Sequence, residues 1–176
     1  AGGRSEFGSG GGINFVSGSG GTSSGEIQFQ TGSAKTGGSG NIMLSVGDTL
    51  EGNGGSIAVS AGKGLSGGGA IILKGGESIL STGGHVTIAS GAGALGSGSI
   101  NIGSGEVVND GKSGDLSIYS GSSTMGSSGG ISITSGEALS GESGSLTMSV
   151  GSSSSSFGGN VLIQGGSSSG NTGGHI

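Results

Sequence analysis

Two columns of glycine run through this chain in step with a column of aliphatic residues. That repeat limits what the chain can fold into more than any other feature. The motif is aliphatic, any residue, large apolar, any residue, small, Gly. Its first residue, position 1, is Ile13, Ile27, Ile42, Ile57, Ile71, Val86, Ile100, Leu116, Ile131, Leu146, Val161 and Ile176. The steps are 14, 15 or 16 residues, with a mean of 14.8. Position 3 is large and apolar in every repeat, as in Phe15, Phe29, Ile88, Ile102, Ile118 and Ile133. Position 5 is small or β-branched, as in Ser17, Thr31, Val46 and Gly75. Position 6 is Gly in eleven repeats, from Gly18 to Gly166, and a lead glycine stands two residues before position 1 in all twelve cases, from Gly11 to Gly174.

Positions 2 and 4 vary and are mostly polar, as in Gln28 and Gln30 or Ser117 and Tyr119. Apolar residues alternating with variable ones give the period of two that marks a half-buried strand. Glycine on either side of each such stretch marks corners, where positive φ or close backbone approach is needed. No window carries helical periodicity, and glycine at this density costs a helix about 1 kcal/mol per residue. A second, weaker apolar column lies three residues past the position 6 glycine, in Leu50, Leu65, Ile79, Val108 and Leu139.

Composition changes meaning once the repeat is seen. Gly is 50 of 176 residues, and only 9% of residues are charged. Without a period, such a chain would be read as disordered, because Gly and Ser bury too little apolar surface to offset the entropy of ordering. The absence of Pro and of a strict three-residue period excludes collagen. The absence of Cys excludes a disulfide scaffold and a Cys-ligated metal site. The longest apolar run is Ala70-Ile71-Ile72-Leu73, far too short for a membrane span. A net charge of −5 with only five basic residues argues against a nucleic-acid partner, which needs a basic footprint.

Read this way, the repeat predicts an all-β fold, a parallel β-solenoid (β-helix) of about 15 residues per rung and 11–12 rungs. Each strand would pair with its copies above and below at about 4.8 Å. Large residues at positions 1 and 3 would pack against a return wall of Gly, Ser and Ala, giving a thin, flattened core. The crossover rule favours a right-handed coil. Residues 1–176 read as one continuous solenoid, uncapped at both ends, and so as a segment of a longer array or a filament stacking end to end. Charges follow the register, since Asp48, Lys63, Glu77, Glu106 and Glu137 all come directly after the position 6 glycine.

Chemistry is hard to find in this sequence. His85 and His175 share a column but lie 90 residues apart, too far in a solenoid to share a metal or a proton. No Ser has a His–acid partnership implied by register, so nucleophilic catalysis lacks support. Acids on alternate rungs would be about 9.6 Å apart, a separation some inverting glycosidases use, but no aromatic sugar platform accompanies them. Three Asp, namely Asp48, Asp110 and Asp115, are too few for a calcium-binding nonapeptide repeat. No phosphate-binding loop is present. The expectation is no enzyme, no catalytic, metal or cofactor-binding residue, and no cofactor. An ice-binding face needs regular Thr columns, and Thr87, Thr134 and Thr147 do not form them.

The recurring pattern seen in Gly129-Gly130-Ile131-Ser132-Ile133-Thr134-Ser135-Gly136 resembles the Gly/Ser-rich β-solenoid repeats of very large extracellular and cell-surface proteins of algae, diatoms and other microbes. The resemblance covers nearly the whole chain. It implies an extracellular or cell-surface location and a structural role in a filament or fibre, similar to adhesins, stalks and sheaths. It implies no catalytic residue. The expected function is a stiff structural rod that self-associates end to end or side by side, with surface polysaccharide as a further partner. The alternative is a binding module, either an adhesin stalk or an ice-binding solenoid.

Overall fold

The computed structural model describes residues 2–3, 5 and 8–176. It divides into two compact units, Ala1–Ile88 and Ala89–Ile176. Within each, the same local form recurs. An eight-residue arm runs from a lead glycine to the next position 6 glycine, and a loop carries the chain to the next lead glycine. Arms 25–32 and 40–47 in the first unit and 129–136 and 144–151 in the second are examples. Arms are extended, and the amide of Gln28 reaches the side-chain oxygen of Gln30 at 3.3 Å, as residues two apart on one face of an extended chain should.

Every arm has the same length, so all variation in repeat length falls in the loops. Steps of 14 residues, at Ile13, Ile57 and Val86, have seven-residue spacings between the two glycine columns; the 16-residue step at Ile100 has nine. The chain turns sharply once in each loop, at 21–22, 35–37, 50–52, 65–66 and 79–81 in the first unit and at 94–95, 109–111, 124–126, 139–141, 154–156 and 169–171 in the second.

The β-solenoid expected from the repeat is not what the chain forms. Among the described residues there is no strand and no helix. Backbone hydrogen bonds explain why. The six among these residues all close loops, between Gly11 and Gly3, Gly25 and Gly18, Gly69 and Gly62, Gly84 and Gly76, Gly98 and Gly91, and Gly174 and Gly166, at 2.8–3.0 Å. None joins a residue to its copy in the next repeat, as a parallel ladder would require. The start of each arm is drawn to the end of the arm before it, so like positions are not brought into register by the backbone.

The thin core is corrected as well. No described residue is buried, apolar or polar. The accessible surface is 17496 Å², against about 7,400 Å² for a compact chain of this mass and about 23,000 Å² for an unfolded one. The expected return wall does not fold back under positions 1 and 3. It turns outward, and Leu50, Leu65, Ile79 and Leu139 of the second apolar column stand at the loop turns, fully exposed. The solenoid rise, the right-handed coil and the 9.6 Å spacing of acids all presuppose a ladder, and fall with it.

Candidate functional site

The site is built from two repeated parts, a closure at the base of each loop and an apolar stripe along each arm. Closure begins with position 5. The only described residues that are not fully classed as exposed are Ser17, Thr31, Gly75 and Gly165, all at position 5. Each position 5 residue faces the lead glycine of the next repeat. A Cβ on Gly25 would meet the Ser17 Cβ at 3.4 Å, one on Gly129 the Ser120 Cβ at 3.6 Å, and one on Gly55 the Val46 Cγ1 at 2.7 Å. The lead glycine is therefore a close-approach residue, as the sequence suggests, but what approaches it is the preceding arm.

In ten of the eleven repeats three kinds of loop follow from which residue stands two past the position 6 glycine, which is position 8; the 16-residue repeat has Val107 there and stands outside them. In the 14-residue repeats it is Gly20, Gly64 or Gly93, and the carbonyl of the residue three further on occupies the space of a Cβ. These tight loops are the ones closed by Gly25, Gly69 and Gly98. Where position 8 is Ser, its hydroxyl oxygen accepts the amide three residues on: Ser78 from Ser81, Ser123 from Gly126, Ser153 from Ser156 and Ser168 from Asn171, at 3.0–3.1 Å. This is the local capping that Ser offers at turns. Where position 8 is Ala34, Thr49 or Ala138, the turn uses a left-handed glycine instead, at Gly37, Gly52 and Gly141 with φ of 86, 99 and 116°. The repeat motif did not disclose these roles: the interval between the two glycine columns, seven against eight, marks the tight loops, and only the residue at position 8 separates the Ser-capped turns from those with a left-handed glycine.

Positions 1 and 3 form the stripe. Position 1 is 48–64% exposed and position 3 is 63–74% exposed through all eleven repeats. In the first unit Phe15 and Phe29 meet edge to face, with ring centroids 6.1 Å apart and planes at 87°, a favoured aromatic geometry. With Ile42, Met43 and Leu44 they line an open, almost wholly apolar recess of about 450 Å³.

Charge is kept off this stripe. The described arms carry only Glu26, Lys74 and Asp115 as formal charges, and the other described charged residues lie in loops. Lys74 pairs with Glu77, and Lys112 with Asp115 at 2.9 Å. Both pairs are exposed, where ion pairs add little stability. His85 lies in the first unit and His175 in the second. Among the described residues no group of three or more His, Cys, Asp or Glu side chains could hold a metal ion, and no helix is long and apolar enough to cross a membrane. The arrangement offers apolar contact and backbone hydrogen bonding rather than a reactive constellation. No protein-family description, curated protein or solved structure matches the chain.

Proposed function

We propose that this chain is a self-associating structural segment of an extracellular or cell-surface filament, and not an enzyme. One observation carries the reading: eleven arms of equal length repeat the same exposed apolar pair on a nearly charge-free surface. A monomer gains nothing from leaving that stripe in water, and exposed apolar patches of this kind mark interaction sites. The mechanical idea of a rod stiffened by internal ladders is dropped, since no such ladders form. Cohesion in this reading comes from contact between chains.

The test is sedimentation velocity and negative-stain electron microscopy of the full chain over a concentration series. Fibrous assemblies that grow with concentration are expected. A chain that stays monomeric at every concentration would overturn the reading. The recess between Phe15, Phe29 and Leu44 favours a second reading, a binding module that takes an apolar ligand group. Saturable binding of an apolar fluorescent probe by the monomer, lost in Phe29→Ser, would support it; the absence of binding would remove it.

A further inference from the structure

We infer that the surface through which copies join is the arm stripe of positions 1 and 3, laid against the same stripe of a second copy and shifted by zero or a whole number of repeats. The inference rests on the filament reading and names its interface.

Area is the first support. In every complete arm at least 48% of the position 1 residue and at least 63% of the position 3 residue is exposed. Each unit holds five complete arms, 11–18 to 69–76 in the first and 98–105 to 159–166 in the second. Each unit thus puts ten large apolar side chains in solvent, in keeping with the charge-poor apolar centre of a standard interface of about 20–30 residues a side.

Register is the second. All arms are eight residues long, and the loops absorb the 14-, 15- and 16-residue steps. A second copy therefore meets an arm of matching length and pattern at every repeat, whatever the loop beside it.

Charge and backbone supply the third. Lys74 and Asp115, two of the three formal charges on the arms, are each paired with a neighbouring loop or lead-in residue. Positions 1 and 3 carry no formal charge in any repeat, so the stripe itself brings no like charges together. Between the loop closures the arm amides and carbonyls make no backbone hydrogen bond among the described residues, so an opposing arm finds donors and acceptors open along its length. Loop tips such as Leu65 are as apolar, but the loops carry most of the chain's formal charges, with Lys63 two residues from Leu65.

The experiment compares two triple variants of the full chain by sedimentation velocity. One replaces stripe residues of the second unit, Ile102→Lys, Ile118→Lys and Ile133→Lys. The other places the same charges on loop tips of that unit, Val108→Lys, Met125→Lys and Leu139→Lys. None of the six is buried in the single chain, so neither set removes a core residue, and circular dichroism checks that both keep the spectrum of the parent. The stripe variant is expected to need at least about tenfold higher concentration to assemble, since it places charge in an apolar contact. The loop variant should stay within about twofold of the parent. Equal effects, or a larger effect in the loop variant, would overturn the stripe as the interface while leaving the filament reading intact. A parent chain that never assembles would end both.

Discussion

The amide of Gly69 donates to the carbonyl of Gly62 at 2.9 Å, closing a loop one residue shorter than most of its relatives. The shortening works because position 8 is Gly64, whose missing Cβ leaves room for the carbonyl of Gly67. Repeat length and the residue at position 8 are thereby tied by sterics.

Gly64→Ala should break that closure. Faster hydrogen exchange at the Gly69 amide is the expected result, with a local loss of about 1 kcal/mol, the net value of one hydrogen bond. Inserting one residue after position 64 in the same variant should relieve the clash but leave the Gly69 amide unprotected, because, among the described residues, the longer loops that hold Ala34 and Ala138 have no closing backbone hydrogen bond. Unchanged exchange in Gly64→Ala would show that the carbonyl is free to move away.

Gly141 has φ of 116° with nothing near a built Cβ, so its constraint is backbone conformation alone. Gly141→Ala is expected to cost about 1–2 kcal/mol locally. Gly136→Ala, equally open and without positive φ, should be neutral. Chemical shifts of residues 138–142 would separate the two cases.

Ser78→Ala removes the hydroxyl that accepts the Ser81 amide. At this exposed turn the expected cost is about 0.5 kcal/mol, the low end for a lost cap, read as faster exchange at Ser81. Adding Ser81→Gly should recover the turn by the route seen at Gly37, where Ala34 stands in the capping position. Failure of the glycine to recover it would mean the two turn types are not interchangeable.

Gly55→Ala brings a Cβ to 2.7 Å from the Val46 Cγ1, whereas Gly129→Ala meets only the Ser120 Cβ at 3.6 Å. The first should perturb shifts across 46–55 and the second should not. Val46→Ser should suppress the defect of Gly55→Ala, a coupling that a double-mutant cycle measures.

Ile102 separates a cored fold from this one. Buried in a solenoid, Ile102→Asp would strand an unpaired charge and be severely destabilising. At 67% exposure the same change should alter single-chain stability by no more than about 0.5 kcal/mol. Thermal melts of dilute, unassembled protein decide between them.

Part of the local form was legible in the residues. Ile13, Phe15 and their counterparts announced the repeated apolar pair, but the half-buried strand that their period of two implies does not form among the described residues. Gly18 and Gly25 announced corners; Gly25 is a close-approach residue, while the chain turns between the two, at 21–22. Period two and paired glycines are local signals. Partners are not local. The aliphatic column of Ile88, Ile102, Ile118 and Ile133 is what a parallel ladder would show, and it is equally what an arm awaiting another chain would show. Leu50 and Leu65 of the second apolar column stand fully exposed at loop turns, a placement their spacing alone does not give.

By itself, then, the sequence determined the repeat, the eight-residue arm and the apolar face of that arm. These follow from spacing and side-chain chemistry within a single repeat. Only the tertiary structure decided where each lead glycine goes. It meets position 5 of the arm before it, through contacts such as Gly25 with Ser17 and bonds such as Gly25 with Gly18. That choice closes the loops on themselves, leaves the arms without a ladder and keeps the apolar stripe in solvent. The meeting of a lead glycine with position 5 is a relation between residues eight to ten apart, and no column of one residue type can express it.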